Sequence, residues 1–400
     1  MIESLKKALY LMPLVIAAVG SAIWLFMVCL EFVISLFNAH WIYSLAALPF
    51  AHLALSALPQ TGRRPWLQET DQIETEIQSP RNPIHHFTAP WIFISTLIYH
   101  LLGASVGRES AAVRIGASLS DVLGQLIRIP ADLRPVALRM GLASGFGAAF
   151  GVPLAATVFS LEFTFMKRRQ DWMYLPTYLF CAWGADHWAR RLGLSHEIWQ
   201  SLHVTFWEIG FLNYLALISF LIALSVSYDA ILRTLQNILQ ATPWWLAPAF
   251  GGAGVFFLTV FFEGPRFNNL GTPLILTSFE ITASLQEALS KLGLTLISVA
   301  TGMKGGEVTP LMASGALFGS WFSGNSSPAV FQLGAAFGLV TLFCSRLRIP
   351  FTGMILLFEL FDWRIALLGT PALLLSEYGL RWTQKSPFDN TDLKSTRPAD

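Results

Sequence analysis

Charge is scarce in this chain. Aspartate, glutamate, lysine and arginine make up 13% of its 400 residues, about half the share of an ordinary soluble domain. Too few polar groups remain to face water all round, so lipid is the expected solvent. The net charge of +1 excludes a global field for nucleic acid or an acidic partner. Cysteines number three, Cys29, Cys181 and Cys344. Each sits in an apolar stretch without metal spacing, and they read as small buried residues. The G-x-S-x-G, H-E-x-x-H and Walker lysine patterns are missing. His85-His86 lack partners at ligand spacing. Neither an enzyme, a metal nor a cofactor is expected. GFGAAFG, Gly145–Gly151, is not a strict dinucleotide pattern and reads as small-residue helix packing.

What the chain has is apolar length. Runs such as Ala8–Val33, Trp91–Val106, Phe211–Val226, Pro248–Phe262 and Phe331–Leu342 recur end to end. A span needs about 20 apolar residues, and roughly ten or more membrane segments are expected. Several are short and broken by Gly or Pro. Lys6-Lys7 precede a run too long for a signal peptide, so the first span is expected to stay uncleaved with the lysines in the cytoplasm. The longest polar stretch, Pro59–His86, reads as one loop or a short amphipathic helix. The tail is polar.

An internal repeat organises the rest. Phe150–Phe163 reads FGVPLAATVFSLEF and Leu347–Phe361 reads LRIPFTGMILLFELF. Each places a small pair after its proline and a glutamate nine residues on, Glu162 and Glu359. These two acids read as structural groups at helix ends. Upstream lie Glu109 in GRESAAVRIGASL and Glu307 in GGEVTPLMASGAL. The halves are offset by 198 residues at these glutamates and by 197 at the prolines. The expected architecture is an all-α polytopic membrane protein with broken helices. Its halves are residues 1–205 and 206–385, followed by a polar tail, 386–400. Repeats with discontinuous helices point to a transporter whose site lies mid-membrane between the halves.

The motifs suggest how. Gly103 and Gly107 permit a tight, non-helical approach, and a helix is expected to start near Glu109. A helix start offers free N–H groups and about half a positive charge, an anion site needing no cation. Glu109 would occupy that site itself and, once protonated, swing away. A structural ion pair with Arg108 or Arg114 is the competing reading. In GGEVTP, Gly305-Gly306 supply the break, Pro310 suits a first turn, and Thr309 can cap or donate. Glu307 is a second carboxyl there, or simply a helix-start acid. Phe159 reads as core- or lipid-facing.

At these residues the chain resembles the CLC family of chloride channels and proton-coupled antiporters. GRESAAVRIG is similar to its G-R-E-G-P-x-V-Q-I-G segment. FGVPLAATVFSLEF is similar to its F-x-A-P-L-A-G-x-x-F-x-x-E-E segment. FNNLGTP, GGEVTP and RIPFTGMILLFEL follow in family order. The resemblance implies an inverted-repeat protomer, a homodimer, in the cell membrane (the inner membrane in a Gram-negative source). Glu109 would gate and carry protons, with Glu307 a secondary carboxyl. Gly107, Arg108, Ser110, Gly306, Val308, Thr309, Phe159 and Phe388 would line the anion path. Glu307 and Thr309 look like the fluoride/proton antiporter branch, as does Phe163 where chloride antiporters carry an inner acid. Fluoride export coupled to proton exchange is therefore expected; the alternative is a chloride channel or chloride/proton antiporter. The family's serine motif, due near Pro59–Asp71, is absent. Phe388 stands where the central tyrosine belongs, and GRESA replaces GREG.

Overall fold

The computed structural model describes residues 2–58, 70–78, 80–163, 169–196, 209–262, 264–324 and 326–383. Phe388, the tail, the boundary at 205/206 and all but the last residues of the Pro59–Asp71 segment lie outside them. Fifteen α-helices and no strand occur among the described residues. The first seven are α1 (Ile2–Ala57), α2 (Thr70–Gln78), α3 (Thr88–Leu101), α4 (Glu109–Leu126), α5 (Arg134–Phe150), α6 (Pro153–Glu162) and α7 (Leu175–Arg191). The rest are α8 (Phe211–Gln240), α9 (Leu246–Phe261), α10 (Thr272–Glu280), α11 (Leu285–Ala300), α12 (Val308–Phe322), α13 (Pro328–Leu347), α14 (Pro350–Leu360) and α15 (Trp363–Thr383).

Length separates this fold from a bundle of simple spans. Among the described residues, only stretches within α1, α8 and α13 combine spanning length with the hydropathy of a membrane helix. The expected run Trp91–Val106 is interrupted: α3 ends at Leu101 and the chain from 104 to 107 is non-helical. Gly103 makes the turn at φ 79°, and a Cβ there would strike the Phe37 ring. Lipid tolerates such breaks only where protein covers the freed backbone groups. Here Val106 and Gly107 are both buried. Among the described residues of Pro59–His86 lies a short helix, α2. α1 bends at His40, whose φ/ψ is non-helical. Large apolar side chains such as Tyr43, Phe50, Leu212, Phe261 and Leu367 stand on the outside, where lipid is their natural solvent.

Two tight helix pairs set the interior. α4 crosses α5 through Gly116 and Ala112 against Gly141 and Gly145. α12 crosses α13 through Gly315 and Gly319 against Gly334 and Gly338. Backbone meets backbone at both crossings, the small-residue packing that substitutes for a hydrophobic drive in lipid. Gly147, from the GFGAAFG run, packs likewise against the Ala182 backbone of α7.

The two glutamates after the repeated prolines join α6 to α14. Glu162 accepts from the backbone N–H groups of Phe351 (2.9 Å) and Thr352 (2.6 Å) and from the Thr352 hydroxyl (2.7 Å). Glu359 accepts from the N–H groups of Leu154 (2.9 Å) and Ala155 (2.8 Å). The carboxylate ending each helix thus caps the start of the other, where orphan donors and the positive dipole end lie. Their sequence reading as structural acids fits these contacts. Glu162→Ala strands buried donors and is expected to cost about 2–4 kcal/mol. Glu162→Gln keeps one acceptor oxygen and should lose less. Thermal unfolding in detergent, alanine below glutamine below wild type, checks it.

Candidate functional site

The glycine-rich segments before α4 and α12, about 200 residues apart in sequence, meet. The Gly107 N–H donates to the Gly306 carbonyl at 2.6 Å. Gly305 turns at φ 140°, open to glycine alone, with a Cβ there falling 2.7 Å from Val106. A Cβ on Gly306 would overlap Ser110. Side chains are excluded because two backbones must touch. The result brings two helix starts face to face. Neither N-cap side chain, Arg108 for α4 or Glu307 for α12, makes a capping hydrogen bond to its helix's first turn.

Glu109 supplies an anion there. It is the first residue of α4 and 0% exposed. Its Oε2 accepts the Thr309 hydroxyl in a short hydrogen bond. Its Oε1 lies 3.4 Å from Arg108 Nε. Glu109 thus has an ion pair with Arg108 and also stands at the meeting of the two helix starts. Glu109 also lines two cavities. One, about 430 Å³, is walled by Ser110, Phe159, Gly306, Glu307 and Val308 together with the cations Arg114, Lys304 and Arg346. The other, about 30 Å³, is walled by Arg108, Thr309, Phe150 and His196. A buried carboxylate between two cavities can obstruct passage when charged and extended. It can open the way if it moves.

The remaining expected residues fall around it. Phe159 is buried, stacked between Phe146 (4.8 Å) and Phe163 (5.0 Å), and reaches the larger cavity. It is both a core residue and a wall. Glu307 is partly open to that cavity, accepts from the Tyr228 hydroxyl at 3.2 Å and pairs with Arg346 Nε at 3.1 Å.

Sequence reasoning missed the support behind the approach to Glu109. Lys291 of α11 is 0% exposed. Its ammonium donates to Ser105 Oγ (3.0 Å) and to the carbonyls of Phe267 (3.1 Å) and Asn269 (2.7 Å). Thr295 bonds the Ser105 hydroxyl, and Ser298 Oγ accepts from the Ser105 N–H, both at 3.0 Å. Lys291, Thr295 and Ser298 are spaced to share one helix face. Asn268, from FNNLGTP, donates to the Gly103 carbonyl at 2.7 Å. One polar stripe thus holds the segment that delivers Gly107 and Glu109. The available signal was a lone lysine in an apolar helix.

The family description for the voltage-gated chloride channel matches residues 58–378. The chain belongs to this CLC family. A chloride/fluoride channel protein of Pseudomonas syringae pv. tomato is 29% identical over 93% of this chain and 84% of its own length. A crystal structure of a CLC-type fluoride/proton antiporter superposes with a TM-score of 0.85 at 25% identity, covering 94% of this chain and 95% of that one. A slow cyanobacterial Cl−/H+ antiporter shares the fold at TM-score 0.78 and 16% identity, over 95% and 96% of the chains. The CLC fold, an integral-membrane helical architecture, is the frame in which Glu109 meets the start of α12 and shares a cavity wall with Glu307.

Proposed function

We propose that this CLC protein exports fluoride in exchange for protons across the cell membrane, as a homodimer with one pathway per subunit and no enzymatic activity. The two halves, 1–205 and 206–385, are proposed to be the repeat units that form each pathway. The observation that carries the reading is the Glu109 carboxylate, buried between two helix starts and bordering two cavities. Charged, it holds the place of a transported anion, with the Thr309 hydroxyl as its donor. Protonated, it loses its attraction to the helix starts and leaves them to fluoride. One group thereby couples the two fluxes, because anion and ionised carboxylate exclude each other. Gly107, Ser110, Gly306 and Val308 would line the route, with Phe159 a wall. On the wall of the larger cavity Arg114, Lys304 and Arg346 outnumber Glu109 and Glu307, a net positive lining that concentrates anions.

Fluoride is favoured over chloride on chemistry. It is small and tightly hydrated, so its site must replace water with dense hydrogen bonding. Hydroxyls and first-turn amides are what the meeting point offers. Glu307 adds a second carboxyl beside the larger cavity, and the apolar Phe163 supplies no inner acid. The likeness to a CLC-type fluoride/proton antiporter supports the same reading. The relative named a chloride/fluoride channel protein keeps the chloride alternative in view. Liposomes holding purified protein and loaded with fluoride or chloride decide the matter. Fluoride efflux several-fold faster than chloride, with opposing proton movement, is expected. Chloride efflux well above fluoride would overturn the subtype, and vesicles that retain both gradients would overturn transport.

A further inference from the structure

A second charged cluster extends away from the cavity. Arg346, on α13, stands between two carboxylates: its Nε is 3.1 Å from Glu307 Oε1 and its Nη1 is 3.5 Å from Asp229 Oδ1. Asp229 lies within α8 and is only 4% exposed. Its other oxygen faces Arg233 Nε, one turn on, at 2.8 Å. Tyr228, beside Asp229, gives its hydroxyl to Glu307. Arg346 and Glu307 line the larger cavity, whereas Asp229 does not. An acid within a spanning helix is expensive, and function is the default reading.

The groups facing Glu307 can be named element by element. α8 presents Tyr228, with Asp229 and Arg233 behind it. α13 presents Arg346. Lys304 comes from the preceding loop, and Glu109 and Arg114 of α4 share the cavity wall. Arg346 is divided between Glu307 and Asp229. A guanidinium beside a carboxylate favours its ionised form. Whatever Asp229 draws from Arg346 is therefore lost to Glu307.

We infer that Asp229 is a positioning residue that sets the proton affinity of Glu307 by competing for Arg346. This rests on the proposed fluoride/proton exchange, and adds to it that Glu307, on the same cavity wall as Glu109, also takes up a proton. Neutralising Asp229 leaves Arg346 to Glu307 and removes a nearby negative charge. Both effects favour ionised Glu307, so protonation needs a lower pH. Neutralising Arg233 does the reverse. Asp229 then holds Arg346 more strongly and a positive charge is gone, so Glu307 protonates at higher pH. A purely structural ion network predicts weakened protein in both cases, not shifts of opposite sign.

The test is the pH dependence of coupled fluoride and proton flux in proteoliposomes, for wild type, Asp229→Asn, Arg233→Gln and Glu307→Gln. The midpoint is expected to move about one pH unit acidic in Asp229→Asn and in the alkaline direction in Arg233→Gln. Glu307→Gln should remove that titration step. Unmoved midpoints, or shifts of the same sign, in the Asp229 and Arg233 variants overturn the inference while the proposed function stands if Glu307→Gln still loses the step. An unaltered profile in Glu307→Gln overturns the proton role of Glu307 and the inference with it. Arg233 is partly exposed, so its variant carries the test alone should Asp229→Asn not fold.

Discussion

Glu109→Gln is expected to remove proton transport, by about a hundredfold or more, while anion flux continues uncoupled. The substitution keeps size and shape. A glutamine oxygen can still accept the Thr309 hydroxyl that Glu109 Oε2 accepts now, so the meeting of α4 and α12 need not shift. What disappears is a group able to bind and release a proton and the negative charge that contests the helix starts with an anion. Wild-type vesicles should acidify or alkalinise as fluoride moves, whereas the variant should move fluoride with the lumen pH unchanged. Glu109→Ala should behave alike for protons, separating the missing carboxyl from any contact made by the carboxamide. Proton flux surviving in both variants would mean that another group carries it and that the Arg108 pair, 3.4 Å away, is the chief reason for this acid.

Local chemistry made part of this site legible and left another part hidden. The glycines before Glu109 and Glu307 announce non-helical backbone, and helices begin at Glu109 and Val308. The 197- and 198-residue offsets gave the repetition. No local rule reveals that Gly107 bonds Gly306 or that Thr309 bonds Glu109, because those partners meet only through the crossing of distant helices. The same holds for Glu162 and Glu359. Their position nine residues after a proline was visible, but the backbone amides that they cap belong to the opposite repeat segment. Where a run breaks was hidden for a related reason. Broken spans were expected, but the run Trp91–Val106 gave no sign that α3 stops at Leu101, where the chain turns toward Glu109. Lys291 and Asp229 each stand among mostly apolar neighbours, with one other charged residue in the helix, Glu287 and Arg233 respectively. Their meaning lies in the carbonyls and the shared guanidinium that only the fold assembles.

Gly338→Ala is expected to have the largest effect on stability, through backbone geometry alone. A Cβ at Gly338 would overlap the carbonyl oxygen of Gly315, and one at Gly315 would overlap that of Gly338. The obstacle is main chain in both directions, so no side-chain rotation relieves it. α12 and α13 must separate, and overpacking of this kind costs about 1–3 kcal/mol or more. The consequence reaches the site, because α12 begins at Val308 and carries Thr309 against Glu109, while α13 carries Arg346 against Glu307. A changed crossing therefore alters where both carboxylates find their partners. Gly293→Ala is the matched control: its Cβ would meet only Leu258 Cδ1, at 4.0 Å, and removing a helical glycine should leave stability equal or raise it by about 0.4–1 kcal/mol. Thermal unfolding in detergent should fall for Gly338→Ala and hold or rise for Gly293→Ala, with fluoride efflux lost only in the first. Equal melting of the two would show that α12 and α13 tolerate a wider spacing, and the close crossing would then not be what sets the depth of Thr309.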